Sequence, residues 1–206
     1  MSNLYRLDAD AARIAMRFRA DAGGDPWTGG EARPTGYLPI ILRTADGVRR
    51  LAPRQWGVPP PPKVALVGGH PVAHVRNLES PFWIGTLRHT AYRCLVPVTA
   101  FRLLGQGKDP TTGRRAQHWL SVSGSPIFAF AGIWQDSEVP SFALLSCEAN
   151  RIMGALGAES MPLILDAEDH EAWLREDWKA ARRLVVPFPS QRMTSTVGMP
   201  PAVMPF

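Results

Sequence analysis

Between Tyr37 and Cys147 the sequence repeats one pattern, a short apolar run followed by a break. YLPIILR, VRRLAPRQWGV, VALVGG, PVAHVRNL, RCLVPVTAF, AQHWLSV, PIFAFAGIW and SFALLSC follow one another, and TADG, GQGKDPTTGRR and QDSEVP are among the breaks. Runs of this length that are rich in β-branched and aromatic residues read as strands. Helix-like stretches interrupt them only occasionally, without the regular strand-helix alternation that a doubly wound parallel fold requires. The expected fold class is therefore α+β, a single domain with a largely antiparallel sheet or barrel core and peripheral helices. At 206 residues the chain is long enough for one substantial core. Its 45% hydrophobic and 20% charged residues are ordinary for a globular protein.

The helices announce themselves by spacing and caps. In DADAARIAMRFRA, Ala11, Ile14, Ala15 and Phe18 share one helical face, and Asp8 or Asp10 is placed to cap it. SPFWIGTLR reads as a short helix capped by Ser80 with Pro81 in its first turn. EANRIMGAL and DAEDHEAWLRE read as two more, with MPLIL as a strand between them. The proline run at 59–62 is a stiff extended connector. Residues 1–190 are expected to form the domain. Residues 191–206 form a C-terminal tail with little periodicity, whose first part can pack as an extended edge.

Several functions find no support. No apolar run is long enough for a membrane helix and no signal core follows the N-terminus, so the chain is expected in the cytoplasm with no membrane partner. The sequence lacks GxGxxG, Walker A, HExxH and GxSxG motifs. His70, His74, His89, His118 and His170 show no ligand spacing, and neither Cys94 nor Cys147 has a companion at metal spacing, so no metal and no cofactor is expected. The net charge of +5 permits a polyanionic partner without naming one. Trp56, Trp83 and Trp119 lie near basic residues, where aromatic groups can stack bases, although core packing is the commoner role.

A resemblance narrows the choice. MSNLYRL, QWGVPPPP, AHVRNLESPFW, RCLVPVTAF, FAFAGIW, CEAN and MPLIL occur in the order and spacing of the SRAP family, the SOS-response-associated peptidases, over about residues 1–175. The resemblance implies a protein that engages abasic sites in single-stranded DNA. Members of the family begin Met-Cys, lose the methionine and link covalently through the exposed cysteine. The α-amine, with an ordinary pKa of about 7.7–8.0, forms a Schiff base with the abasic aldehyde, and the thiol closes a thiazolidine ring.

Against this pattern the second residue is Ser2, whose hydroxyl is a far poorer nucleophile than a thiol near neutral pH. An adduct at Ser2 is expected to stop at a reversible imine or a labile ring. The family's Asn-x-Arg reads His74-Val75-Arg76 here, with Asn77 close enough for a shifted register to supply the amide. Its catalytic glutamate falls on Leu103 and its catalytic histidine on Gly157, neither of which carries a proton. The resemblance thus implies a degenerate member of the family, a pseudoenzyme with DNA-binding residues at Arg76, Trp56, Gly57, His74 and Asn77. The expected partner is single-stranded DNA, with or without abasic sites, and the expected state is a monomer. Two alternatives stay open: residual Schiff-base chemistry through the Ser2 α-amine, and a protein-interaction module that has lost DNA function.

Overall fold

The computed structural model describes residues 3–61, 65, 68–108 and 113–198. Ser2, the expected strand VALVGG apart from Ala65, Gly68 and Gly69, the end of the proline run at Pro62 and residues 199–206 lie outside the described residues.

Strands dominate and form two sheets, with a few short helices around them. Five strands close into a ring. β3 (Tyr37–Arg43) pairs with β4 (Arg49–Trp56) and with β6 (Arg93–Val98), and β6 pairs with β9 (Phe128–Gln135). β9 then pairs with β10 (Ser141–Glu148), all antiparallel. The ring is completed by a parallel contact between β10 and β4, at Ser141↔Gln55 and Phe142↔Trp56. The β3–β4 hairpin turns where Asp46-Gly47 predicts it: Gly47 has φ +87°, and Thr44 N–H donates to Val48 O. Both faces of these strands are apolar: the register sets Ile41, Leu95, Ala131, Ile133 and Ala143 on one face and Val96 and Phe142 on the other, and all are buried. All six residues of β6 are buried, which is why RCLVPV reads as a continuous apolar run rather than an alternating one.

The second sheet joins β2 (Gly30–Ala32), β1 (Tyr5–Leu7), β7 (Ala100–Lys108), β8 (Arg115–Val122) and β13 (Met193–Val197) in the order β13-β8-β7-β1-β2. β7 continues from β6 through Thr99, so one chain segment serves both sheets. β13 pairs with β8 along its whole length, placing a strand inside the segment expected as a tail. Tyr5 of β1 packs on Trp56 and Phe130, with ring centroids 5.2 and 6.0 Å away, and ties the second sheet to the barrel.

Helix α1 (Ala11–Phe18) has Asp10 as its cap, and Ala11, Ile14, Ala15 and Phe18 face the core as their spacing requires. Arg19 closes it in the left-handed region. In SPFWIGTLR the helix α2 (Ile84–Arg88) begins later than its sequence suggests. The Ser80 hydroxyl instead accepts from Phe82 N–H in a preceding turn. α3 (Arg151–Ala155) is capped by Asn150, whose amide also donates to Phe188 O. MPLIL divides into β11 (Ser160–Pro162) and β12 (Ile164–Leu165), pairing with β10 and β9 respectively. α4 (His170–Arg175) and α5 (Trp178–Ala181) follow.

Arg93 is fully buried beneath these two helices. It donates to the carbonyls of Leu87, Trp173 and Glu176 at 3.0, 3.1 and 2.7 Å, and its guanidinium lies 5.5 and 5.6 Å from the ring centroids of Trp173 and Trp178. Burial holds its pKa below the usual arginine value, opposed by nearby Asp177.

Candidate functional site

β10 is the spine of the site. On one edge it carries β4 and then β5 (His74–Val75), both parallel to it, with Leu144↔His74 and Leu145↔Val75. On the other edge it carries β11, with Cys147↔Met161. The chain between β4 and β5 leaves at Gly57, where φ is +122° and a Cβ would lie 2.8 Å from Pro71 Cβ, so only glycine fits. It is cinched by reciprocal backbone bonds between Val58 and Val72.

β1 supplies the remaining wall. It runs antiparallel to β7 with Tyr5↔Phe101, and Arg102 N–H donates to Leu4 O at 3.0 Å. Continuing that register sets Asn3 across from Leu103. The result is a cavity of about 430 Å³ lined by Asn3, Arg76, Arg102, Leu103, Leu104 and Arg115, with Gly157 to Ser160 on the opposite side. A second cavity of about 630 Å³ shares Arg76, Glu159 and Ser160 with it and continues past Cys147 to Val185 and Val186.

His74 Nε2 and Asn3 Oδ1 are 3.0 Å apart, and the imidazole meets the Trp56 ring edge-on at 5.7 Å. Trp56 is only 1% exposed and its indole N–H donates to Ala73 O. It therefore has no face to offer a base, contrary to its expected role in DNA contact; it props His74. Gly57, also buried, acts through the turn it permits. Trp83 and Trp119 are core residues as well. The shifted register for Asn77 is not adopted: its Oδ1 accepts from Glu79 N–H, and the residue lies away from the cavity. Arg76 is exposed at the junction of the two cavities.

Leu103 lines the cavity at 7% exposure. Opposite it, Gly157 has φ +86°, and a Cβ there would overlap the side-chain amide of Gln106. Neither Gly157 nor its neighbour Ala158 can carry a proton, so a one-residue shift of register changes nothing.

The cavity's charge comes instead from Arg76, Arg102 and Arg115, facing the single carboxylate of Glu159. Arg115 fastens the bulged β7–β8 hairpin, donating to Gly105 O at 3.0 Å and Leu104 O at 3.3 Å. Arg102 reaches Gln117 Oε1 at 3.3 Å. Partial burial, with the like charge of Arg33, holds the Arg102 pKa below its usual value; Glu31 opposes the shift. Among the described residues, no ion pair engages Arg76, Arg102 or Arg115. Arg102 and Arg115 escape sequence reading because they sit on β7 and β8 while Arg76 follows β5 in the other sheet, and only the tertiary fold brings the three to one cavity.

Both cysteines are free thiols. Cys94 is buried and its pKa is pushed up by desolvation. Cys147 is only half-buried, and burial pushes it up to about 11. Among the described residues no group of three or more His, Cys, Asp or Glu is placed to hold a metal, and no helix is long and apolar enough to cross a membrane.

The family model described as SOS response associated peptidase (SRAP) matches residues 1–199. No curated protein matches the chain. Solved structures share the fold. A Bordetella bronchiseptica protein superposes with a TM-score of 0.77 at 19% identity, covering 97% of this chain and 100% of that one. A Bacteroides thetaiotaomicron protein gives 0.76 at 18% identity, covering 95% and 91%. A phage-related protein of Bordetella bronchiseptica gives 0.73 at 14% identity, covering 95% and 93%.

Proposed function

The chain belongs to the SRAP family of SOS response associated peptidases, and from that premise we propose that it binds single-stranded DNA, including strands with abasic sites, without completing a stable crosslink. Family membership points to a DNA-damage-related function, acting on this reading in the cytoplasm. The observation that carries the narrower reading is the cavity itself. Three guanidinium groups converge on it, while Leu103, Gly157 and Ala158 line it where a general acid or base would be needed. The guanidinium groups that attract phosphate are present, while Leu103 and Gly157, at the two positions that carry protons in the family pattern, carry none. With Ser2 in place of a cysteine, an imine formed at its amine has only a weakly nucleophilic hydroxyl beside it, which does not trap it as a stable ring.

The test is a titration of labelled single-stranded DNA carrying one abasic site. Arg76→Ala lowers the affinity about tenfold, the worth of one charge-assisted hydrogen bond. It also flattens the dependence of log K on log salt by about 0.7, the share of one phosphate contact on a single strand. Binding that is unchanged by the substitution overturns the assignment.

One observation favours a second reading, residual Schiff-base chemistry at the Ser2 amine. The Asn3–His74 contact holds an imidazole one residue from that amine in sequence. Imidazole is suited to proton transfer near neutrality. Borohydride separates the two, because reduction makes an imine permanent and leaves simple binding reversible.

A further inference from the structure

The charge balance of the arginine-lined cavity is specific enough to name the part of a strand it suits. Three arginines face one carboxylate, which leaves two positive charges unbalanced. An internal phosphodiester brings one negative charge. A phosphomonoester carries about 1.5 to 2 at pH 7 and offers three strong acceptor oxygens.

The walls point the same way. Arg115 donates to two backbone carbonyls of its hairpin, and among the described residues Arg102 has one long side-chain bond, to Gln117. Behind Gly157 the Gln106 side chain packs against the turn and brings the loop after α3 into contact with β7 at this end. The apolar floor at Leu103 adds no competing acceptor.

We propose that the cavity receives the phosphorylated end of a DNA strand, a phosphomonoester, in preference to an internal phosphodiester. This rests on the strand binding proposed above and specifies which phosphate occupies the site. Arg76 guides the strand in from the second cavity, and Arg102 and Arg115 bind the terminal group.

The experiment compares one short single-stranded oligonucleotide with a 5′-phosphate, with a 3′-phosphate and with hydroxyls at both ends, by fluorescence anisotropy at fixed salt. One phosphorylated form binds about tenfold tighter than the hydroxyl form, the worth of one further charge-assisted hydrogen bond. Which form gains identifies the strand polarity. The advantage shrinks as pH falls through about 6, where the phosphate takes up its second proton. Inorganic phosphate competes with the phosphorylated strand more effectively than sulfate-free chloride at equal ionic strength.

Arg102→Gln brings the ratio of phosphorylated to hydroxyl affinity to within about twofold, whatever its effect on overall affinity. Arg50→Gln makes the same charge change at a residue paired with Asp21 on the distant β3–β4 hairpin and keeps the ratio. Melting curves establish that both variants are folded. Strands that bind equally with and without terminal phosphate overturn the end-recognition proposal and leave strand binding standing. Failure to bind any strand overturns both.

Discussion

Lowering the pH should weaken this protein through His170 by an amount that can be worked out in advance. His170 opens α4, is 6% exposed and stacks on Phe18 of α1 at 5.4 Å. Burial lowers its pKa from 6.5 to about 4, helped by the charges of Arg49 on β4 and Arg17 on α1, and opposed by the Leu165 backbone and Asp166. Glu168 and Glu171 line the same cavity of about 610 Å³. The folded state keeps the ring neutral, while the unfolded state protonates it near 6.5. Between those values the unfolded chain binds more protons, so stability is present above about 6.5 and is lost as pH falls towards 4. From pH 7.5 to pH 5 the loss comes to about 2 kcal/mol for this group. At roughly 2–4 °C per kcal/mol for a chain of this size, the melting temperature falls by about 4–8 °C on its account. Other groups titrate over the same range, so the measurement is a difference: calorimetric Tm against pH for the parent chain and for His170→Gln. The variant should lose less stability than the parent on acidification, by that margin. Equal slopes would refute a buried neutral imidazole at this position.

Other substitutions test other parts of the structure. Arg93→Ala strands three buried carbonyls and should cost about 3–5 kcal/mol in urea melts, with Arg93→Lys intermediate because a point charge cannot span the same acceptors. Gly57→Ala should destabilise by about 1–3 kcal/mol or more, since it combines a positive φ with the approach to Pro71; a Tm within 1–2 °C of the parent would show that the turn can relax. Thiol labelling at pH 8 should be slow at Cys147 and slower at Cys94, with the Cys147 rate rising about tenfold per pH unit up to about 11. Ser2→Cys should convert a borohydride-dependent adduct with abasic DNA into one that survives without reductant, read on a denaturing gel.

Local signals in the sequence carry much of this architecture. The α1 face follows from four residues at helical spacing with an Asp10 cap, and the β3–β4 turn follows from Asp46-Gly47. The parallel closure of β10 on β4 has no such signal. It joins residues distant in sequence through backbone bonds that are indifferent to side-chain identity. SPFWIGTLR misleads because the Ser80 hydroxyl does accept from a following amide, that of Phe82, but in a turn before the helix rather than at its cap. The site was half legible. Arg76, Leu103 and Gly157 were found through family resemblance and do meet in one cavity. For Trp56, beside basic residues, the sequence leaves base stacking open next to core packing, and its burial depends on Tyr5, Phe142 and His74 arriving from three other segments.

Closing the barrel has a consequence for how this chain meets other chains. A ring of strands leaves no row of unpaired amides and carbonyls to template association. The open edges lie elsewhere. β2 is only three residues long, whereas β13 extends for five and ends at the exposed Val197. Its Thr194, Ser195 and Thr196 are exposed, with no lysine or proline to discourage a newcomer. If a second polypeptide adds a strand to this fold, β13 is the longest edge strand among the described residues, on the far side of the five-stranded sheet from β2.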